Sequence, residues 1–162
     1  MNDICKEKTI SFSGHRSLQL SDKIYDNLES QLEVYIKNGY DTFLIGMAKG
    51  FDLICGLSVI KLQEVYPQLK IIPVVPCDNQ TDNFSYTEMI SYKKIMTQAY
   101  DVIQTGKSRT AYSMHKRNRY MVDNSSILIC YLTQKKSGTY YTCNYAYKSG
   151  IEVINIADGN CE

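Results

Sequence analysis

The sequence predicts an α/β protein with a single doubly wound, mostly parallel, Rossmann-like sheet of about six strands and helices on both faces. Strand-like and helix-like segments alternate along the chain with short turns between them. The strand-like segments are mostly continuous apolar runs, which is typical of parallel strands covered on both faces. With 162 residues and an apolar content of 44%, the chain fits one domain with a full-sized core, so residues 1–162 are expected to form a single domain.

The first elements follow from residue type and spacing. The β-formers of KTISFS predict a strand over 8–13. A helix is predicted over 22–38, because apolar residues recur every four positions from Ile24 to Ile36 and the pair Asn38-Gly39 ends it. DTFLIG, at 41–46, is a short buried-strand candidate.

The middle of the chain adds a helix and a strand. The helix is predicted over 51–66, where apolar residues recur up to the position before Pro67. KIIPVVP predicts a strand at 70–76. Its residues Pro73 and Pro76 cannot donate backbone hydrogen bonds, so this strand is expected at a sheet edge or to end there.

The rest of the chain continues the alternation and completes six strands and five helices. In order, the remaining elements are a helix at 85–98, a strand at 101–106, a helix at 110–123, a strand at 125–132, a helix from Gly138 to about Gly150 and a strand at 151–156.

Composition excludes several classes of function. Lys and Arg total 18 against 17 Asp and Glu, and this balance disfavours nucleic acid as a partner but leaves room for a small anionic ligand. No apolar run approaches the roughly 20 residues of a membrane span, and the polar N-terminus does not resemble a signal peptide, so a cytoplasmic protein is expected. None of the six cysteines forms a CxxC pair, so no metal site is predicted.

Four of the predicted strands are followed by turns that combine glycine with a cation or a hydroxyl. In open parallel sheets ligands bind beyond the carboxyl ends of the strands, and helix N-termini there suit phosphate. These residues also have ordinary structural explanations. The glycines suit turn geometry, His15 can be a packing residue, and Ser137 can cap a helix. Asp52 can interact with the dipole of its own helix, and Arg119 and Asp123 can pair on a helix surface.

Four motifs in order resemble the SLOG superfamily of Rossmann-like proteins, which includes the LOG and Smf/DprA proteins, and in particular its YpsA-like (DUF1273-type) branch. The motifs are SGHR, GMAKGFD, RNRYMVDNSSILICYL and SGTYYTCNYAYKSGIEVINI. The resemblance extends from about Thr9 to Ile156 and implies a pocket for a nucleotide-derived ligand, related to ADP-ribose, NAD or a nucleoside phosphate. Carried over by motif, the ligand-binding candidates are Gly14, His15, Arg16, Gly46, Lys49, Gly50, Asp52, Arg117, Asn118, Asp123, Ser137, Gly138 and Thr139.

The sequence departs from the LOG-type motif PGGxGTxxE, whose glutamate helps cleave an N-glycosidic bond. The corresponding stretch is KKSGTYYT, with Thr142 in place of that glutamate. The resemblance therefore implies a sensor or sequestering protein that binds its ligand without a complete catalytic constellation. The alternative is a nucleosidase or phosphoribohydrolase that uses His15 with Asp52 or Asp123 as its catalytic groups.

Further expectations accompany this interpretation. A DNA-processing accessory, by analogy with Smf/DprA proteins, is disfavoured by the balanced charge. Exposed tyrosines near Tyr86, Tyr112 or Tyr140 are candidates for stacking on a base. No cofactor is implied. The resemblance also makes a homo-oligomer an expected possibility, because SLOG proteins commonly dimerise.

Overall fold

The computed structural model describes residues 3–18 and 21–157. The domain bounds expected from the sequence, 1–162, reach beyond the described residues at both ends. The strands are β1 (Thr9–Gly14), β2 (Thr42–Ile45), β3 (Lys70–Val75), β4 (Ile103–Gln104), β5 (Ile127–Tyr131) and β6 (Glu152–Asn155). The helices are α1 (Asp22–Lys37), α2 (Phe51–Gln63), α3 (Tyr86–Thr97), α4 (Ala111–Asp123) and α5 (Gly138–Ser149).

The six described strands form one sheet in the order β4-β3-β2-β1-β5-β6, and every described pair is parallel. This confirms the predicted doubly wound α/β fold. From β1 to β4 each new strand is added on one side. The chain then crosses to the other side of β1 to form β5 and β6. The order of the strands therefore reverses between β1 and β5, which is where open α/β sheets place their ligands.

Two alternatives were expected for the strand that contains Pro73, a sheet edge or a strand end at the prolines, and the structure does not show the edge. β3 lies between β2 and β4, and Pro73 is in register with Ile45 of β2. β4 is only two residues long and pairs with Val74 and Val75 alone, so Pro73 lies beyond the end of that short ladder. The other expectation for this segment agrees with the structure, since the strand ends at Val75, directly before Pro76.

Helices cover both faces of the sheet, because alternate strand residues point to opposite sides. On one face, Leu28 of α1 and Val59 of α2 pack in a core cluster with Ile10 of β1. On the other face, Met121 of α4 packs with Leu44 and other buried strand residues. α5 covers Leu128 and Cys130 on that same face through residues that include Cys143 and Ala146. Over the described residues, no helix is both long and apolar enough to cross a membrane.

Candidate functional site

A cavity of about 680 Å³ opens at the carboxyl ends of β1 and β5, at the reversal of strand order. Three segments form most of its wall: the end of β1 with the turn that follows (12–17), the first turns of α4, and the start of α5. Nine of the sequence-predicted residues line it. They are Gly14, His15, Arg16, Asp52, Arg117, Asn118, Ser137, Gly138 and Thr139.

His15 joins two walls of this cavity. The main-chain N–H of Thr133 donates to its Nε2 atom at 3.0 Å, and the ring lies edge-on to Tyr131 with centroids 6.4 Å apart. Burial lowers the pKa of His15. With Nε2 accepting, the neutral ring carries its proton on Nδ1, so it is available as a donor.

Arg117 lies at the floor of the cavity and is only 4% exposed. Its Nη1 atom donates to the carbonyl oxygen of Gly46, and its Nε atom donates to Oδ1 of Asn118 at 2.7 Å. The same Gly46 carbonyl accepts from Nε2 of Gln80 at 3.0 Å. Gly46 thus supports the floor through its backbone.

Asp52 supplies the opposite charge to Arg117. Its Oδ2 atom accepts from the main-chain N–H of Ala48 at 3.2 Å, and the side chain is 6% exposed. Burial raises the pKa of Asp52, while the Arg117 cation and the Ala48 hydrogen bond oppose the rise. Burial likewise lowers the pKa of Arg117, and Asp52 opposes that shift. A Cβ on Gly46 would lie 2.7 Å from Oδ2 of Asp52, so a side chain there would disturb this buried pair.

The turn after β2 was predicted to bind phosphate. In the structure it packs against the backbone of the turn after β1. Gly50 has a φ of +82°, and a Cβ on it would lie 2.5 Å from the carbonyl oxygen of His15 and closer still to that of Arg16. The N–H of Phe51, at the start of α2, donates to the His15 carbonyl at 3.2 Å. This turn therefore fixes the shape of the turn after β1.

Four predicted residues, Gly46, Lys49, Gly50 and Asp123, do not line this cavity between β1 and β5, which is called the large cavity below. Lys49 and Gly50 line a different cavity of about 660 Å³, between α1, α2 and α3, which also includes Arg16. Of the predicted ligand-binding residues Arg16, Gly50 and Gly138, only Arg16 and Gly138 line the cavity between β1 and β5. Gly50 contributes by supporting the Arg16 backbone.

The start of α5 remains open to the cavity. The Ser137 hydroxyl caps the helix, accepting from the N–H of Tyr140 at 3.2 Å and donating to the carbonyl of Gln134 at 3.0 Å. A Cβ on Gly138 would meet nothing within 4 Å, so packing within the protein does not require glycine at this position. α4 also begins at this edge, capped by Thr110. Two positive helix ends therefore border one cavity.

Asp123 does not reach the cavity. It is the last residue of α4, about 18 Å along the helix from Ala111, by the rise of 1.5 Å per residue. Its Oδ1 atom accepts from the hydroxyl of Tyr145 at 2.8 Å. Arg119, its suggested surface partner, lies over the Tyr145 ring, 5.3 Å from the centroid.

Thr142, which stands where LOG-type enzymes have glutamate, is buried, and its hydroxyl donates to the carbonyl of Gly138 at 2.9 Å. It is not part of the cavity lining. Tyr86, Tyr112 and Tyr140 also lie outside that lining, so the structure does not bring the suggested stacking residues to this cavity.

Several lining residues were missed by the sequence analysis, among them His115 and Met114. Both belong to one face of α4, with Ala111 and Asn118, at spacings of three and four residues. Extending the helical periodicity backward from Asn118 would have found them. Arg109, which precedes the Thr110 cap, also lines the cavity.

The chain resembles known proteins over most of its length. The YpsA family model, described as the YspA SLOG family, matches residues 11–154. The uncharacterized SPbeta prophage-derived protein YoqJ of Bacillus subtilis is 29% identical over 144 residues, covering 82% of each chain. The UPF0398 protein YpsA of the same organism is 24% identical over 153 residues, covering 87% of this chain and 85% of that protein.

Two solved structures share the fold. DNA processing protein A (DprA) from Streptococcus pneumoniae superposes with a TM-score of 0.70 at 18% identity, covering 97% of this chain and 53% of that chain. DprA from Helicobacter pylori, described for its single-stranded DNA binding mode, gives a TM-score of 0.67 at 17% identity, covering 91% of this chain and 64% of that chain. The present chain thus spans between half and two thirds of these structures. From the family match over residues 11–154, the chain belongs to the YpsA SLOG family.

Proposed function

We propose that this protein binds a nucleotide-derived small molecule through its phosphate in the cavity between β1 and β5, as a sensor or sequestering protein. The observation that carries the proposal is the convergence of two helix N-termini and three arginines on that cavity. The arginines are Arg16, Arg109 and Arg117, against one lining carboxylate, Asp52. The lining is thus positive although the whole chain has a formal charge of only +1.

The parts of the cavity have distinct roles in this proposal. Arg16 is exposed and free to close on a phosphate. The first N–H groups of α5, at Gly138 and Thr139, donate to the same group, and the missing side chain at Gly138 lets the ligand approach the backbone. Nδ1–H of His15 donates to a phosphate or ribose oxygen. Arg117 and Asp52 hold the floor and are positioning residues.

The geometry favours binding over hydrolysis of an N-glycosidic bond. Such hydrolysis needs a carboxylate that can stabilise an oxocarbenium-like centre or activate water. Asp52 is held by the Ala48 N–H and faces the Arg117 charge. Nε2 of His15 is occupied by Thr133, so its lone pair is not free to take a proton. Asp123 lies at the far end of α4.

Single-stranded DNA is the other ligand class raised by the comparisons, through DprA of Helicobacter pylori. Identity to that protein is 17%, so the likeness concerns the fold. The formal charge of +1 lacks the basic excess that sequence-independent binding of a phosphate backbone draws on. A small phosphate ligand needs only the local charge of the cavity.

Thermal unfolding with AMP, NAD and ADP-ribose, followed by mass spectrometry of the recovered ligand, tests the proposal. A ligand at about 100 times its Kd stabilises the folded protein by about 2.7 kcal/mol. Arg16→Gln should reduce that gain, and Lys37→Gln, an exposed cation on α1, should not. Unchanged ligand is expected after incubation.

Two results would contradict the proposal. One is release of free base above trace rates that Asp52→Ala abolishes, which would establish a hydrolase. The other is binding of single-stranded DNA with a steep salt dependence but no binding of the nucleotides, which would establish a DNA-binding accessory.

A further inference from the structure

A third, smaller cavity of about 180 Å³ adjoins the proposed phosphate-binding cavity. The two share part of their linings, including Arg16 and Arg109. Lys49 lines the small cavity and not the large one. The volume is below the roughly 300 Å³ at which ligand pockets begin, and about six times the 30 Å³ share of one water molecule. It suits one phosphate-sized group with its water.

The lining of the small cavity carries an excess of positive charge. Three of its residues are cations, Arg16, Lys49 and Arg109, and none is Asp or Glu. Like charges facing one small space repel each other, and a bound anion relieves that repulsion. In the amide orientation that satisfies both groups, the Asn83 carboxamide oxygen accepts from both terminal nitrogens of Arg109, at 3.2 Å each. This contact holds the Arg109 guanidinium at the junction of the two cavities.

A buried side chain in the same lining has an unused hydrogen-bonding atom. Gln80 is 6% exposed, and its Nε2 atom donates to the Gly46 carbonyl at 3.0 Å. Its Oε1 atom is buried and has no hydrogen-bond partner among the described residues. Buried polar atoms are almost always paired, so this acceptor calls for a donor, which a water bound beside the phosphate supplies.

We infer that the small cavity is a second anion subsite and that the ligand is a nucleotide with two linked phosphates, one in each cavity. This inference rests on the proposed function. Arg16 and Arg109 border both spaces and so contact both phosphates. Lys49 lines the small cavity and not the phosphate-binding cavity, so it contacts the second phosphate alone. Gln80, also absent from the lining of the phosphate-binding cavity, reaches the second phosphate through a bound water. A nucleotide with a single phosphate leaves the small cavity to water.

Comparison of ADP with AMP tests this division of roles by isothermal titration calorimetry. The wild-type protein should bind ADP about tenfold or more tightly than AMP, as expected for added hydrogen bonds to a charged group. Lys49→Gln should reduce ADP affinity about tenfold and AMP affinity less than twofold. Lys37→Gln, the same change on the exposed end of α1, should alter neither. Gln80→Glu, which places a carboxylate in the small cavity, should also remove the preference for ADP, with folding checked by thermal unfolding.

The outcomes separate the two proposals. Equal wild-type affinities for AMP and ADP, or an equal loss for both nucleotides in Lys49→Gln, would overturn the second subsite while leaving phosphate binding in the large cavity intact. If the wild-type protein binds neither these nucleotides nor NAD nor ADP-ribose, the proposed function fails and this inference fails with it.

Discussion

The main-chain N–H of Thr133 donates to Nε2 of His15 at 3.0 Å and so joins the loop after β5 to the turn after β1. These are the two strands between which the strand order reverses. The hydrogen bond holds the His15 ring against the loop after β5. It also requires that Nε2 carry no proton, which makes this contact sensitive to pH.

Acidification should weaken the fold through His15. Burial lowers its folded pKa below the ordinary 6.5. Below pH 6.5 the unfolded state therefore binds more protons than the folded state, so the stability contribution of His15 is present above that pH and is lost as pH falls through the lowered pKa. Urea unfolding should show that the difference in free energy of unfolding between wild type and His15→Gln becomes smaller from pH 8 to pH 5. A difference that stays constant over this pH range for His15→Gln would contradict the assignment.

Glycine is required at position 50 and not at position 138. Gly50→Ala places a Cβ against two carbonyl oxygens at a φ of +82°, so it should lower the free energy of unfolding by about 2 kcal/mol or more. Gly138→Ala meets nothing within 4 Å and should leave stability within about 0.5 kcal/mol. The second variant places a methyl group where the phosphate is proposed to lie, so it should weaken AMP binding. Urea unfolding and calorimetry measure the two effects, and an equal loss of stability in both variants would contradict this difference.

The buried pair of Asp52 and Arg117 should show strong coupling. Arg117→Met leaves the Asp52 carboxylate buried without its countercharge, at a cost of about 3–5 kcal/mol. Adding Asp52→Asn should recover part of that loss, which a double-mutant cycle measures. Without Arg117 the folded pKa of Asp52 rises further above its ordinary 3.8. The loss in free energy of unfolding of Arg117→Met relative to wild type should therefore be largest at neutral pH and smaller near pH 5. Additive losses would show that the two side chains do not interact.

The fold could be predicted because local signals and tertiary structure agree. Apolar runs bounded by glycine, proline or a cap produced strands and helices at the expected places, and the continuous character of those runs indicated a parallel sheet. The sequence left two alternatives for the strand that contains Pro73, an edge position or an end at the prolines, because the length and register of β4 are not visible near Pro73 itself. Strand pairing is a long-range property.

The site was less predictable, because similar turns have different surroundings. The turns at Gly50 and Gly138 both place glycine at the start of a helix. Only the three-dimensional structure shows that the first is filled by the backbone of His15 and Arg16 while the second is open. Asp123 was carried over by motif together with Arg117, yet it lies six positions further along α4, about 9 Å along the axis.

Restoring the LOG-type glutamate should not create a hydrolase. Thr142 is 6% exposed, and its hydroxyl donates to the Gly138 carbonyl within α5. Thr142→Glu therefore places a carboxylate in the packed side of the helix, which should cost about 2 kcal/mol or more and produce no release of adenine from AMP. Tyr141→Glu, at the adjacent position that is 57% exposed, serves as the matched control and should change stability much less. Base release by Thr142→Glu above the wild-type rate would show that this position reaches the ligand, and that the missing carboxylate alone keeps this chain from catalysis.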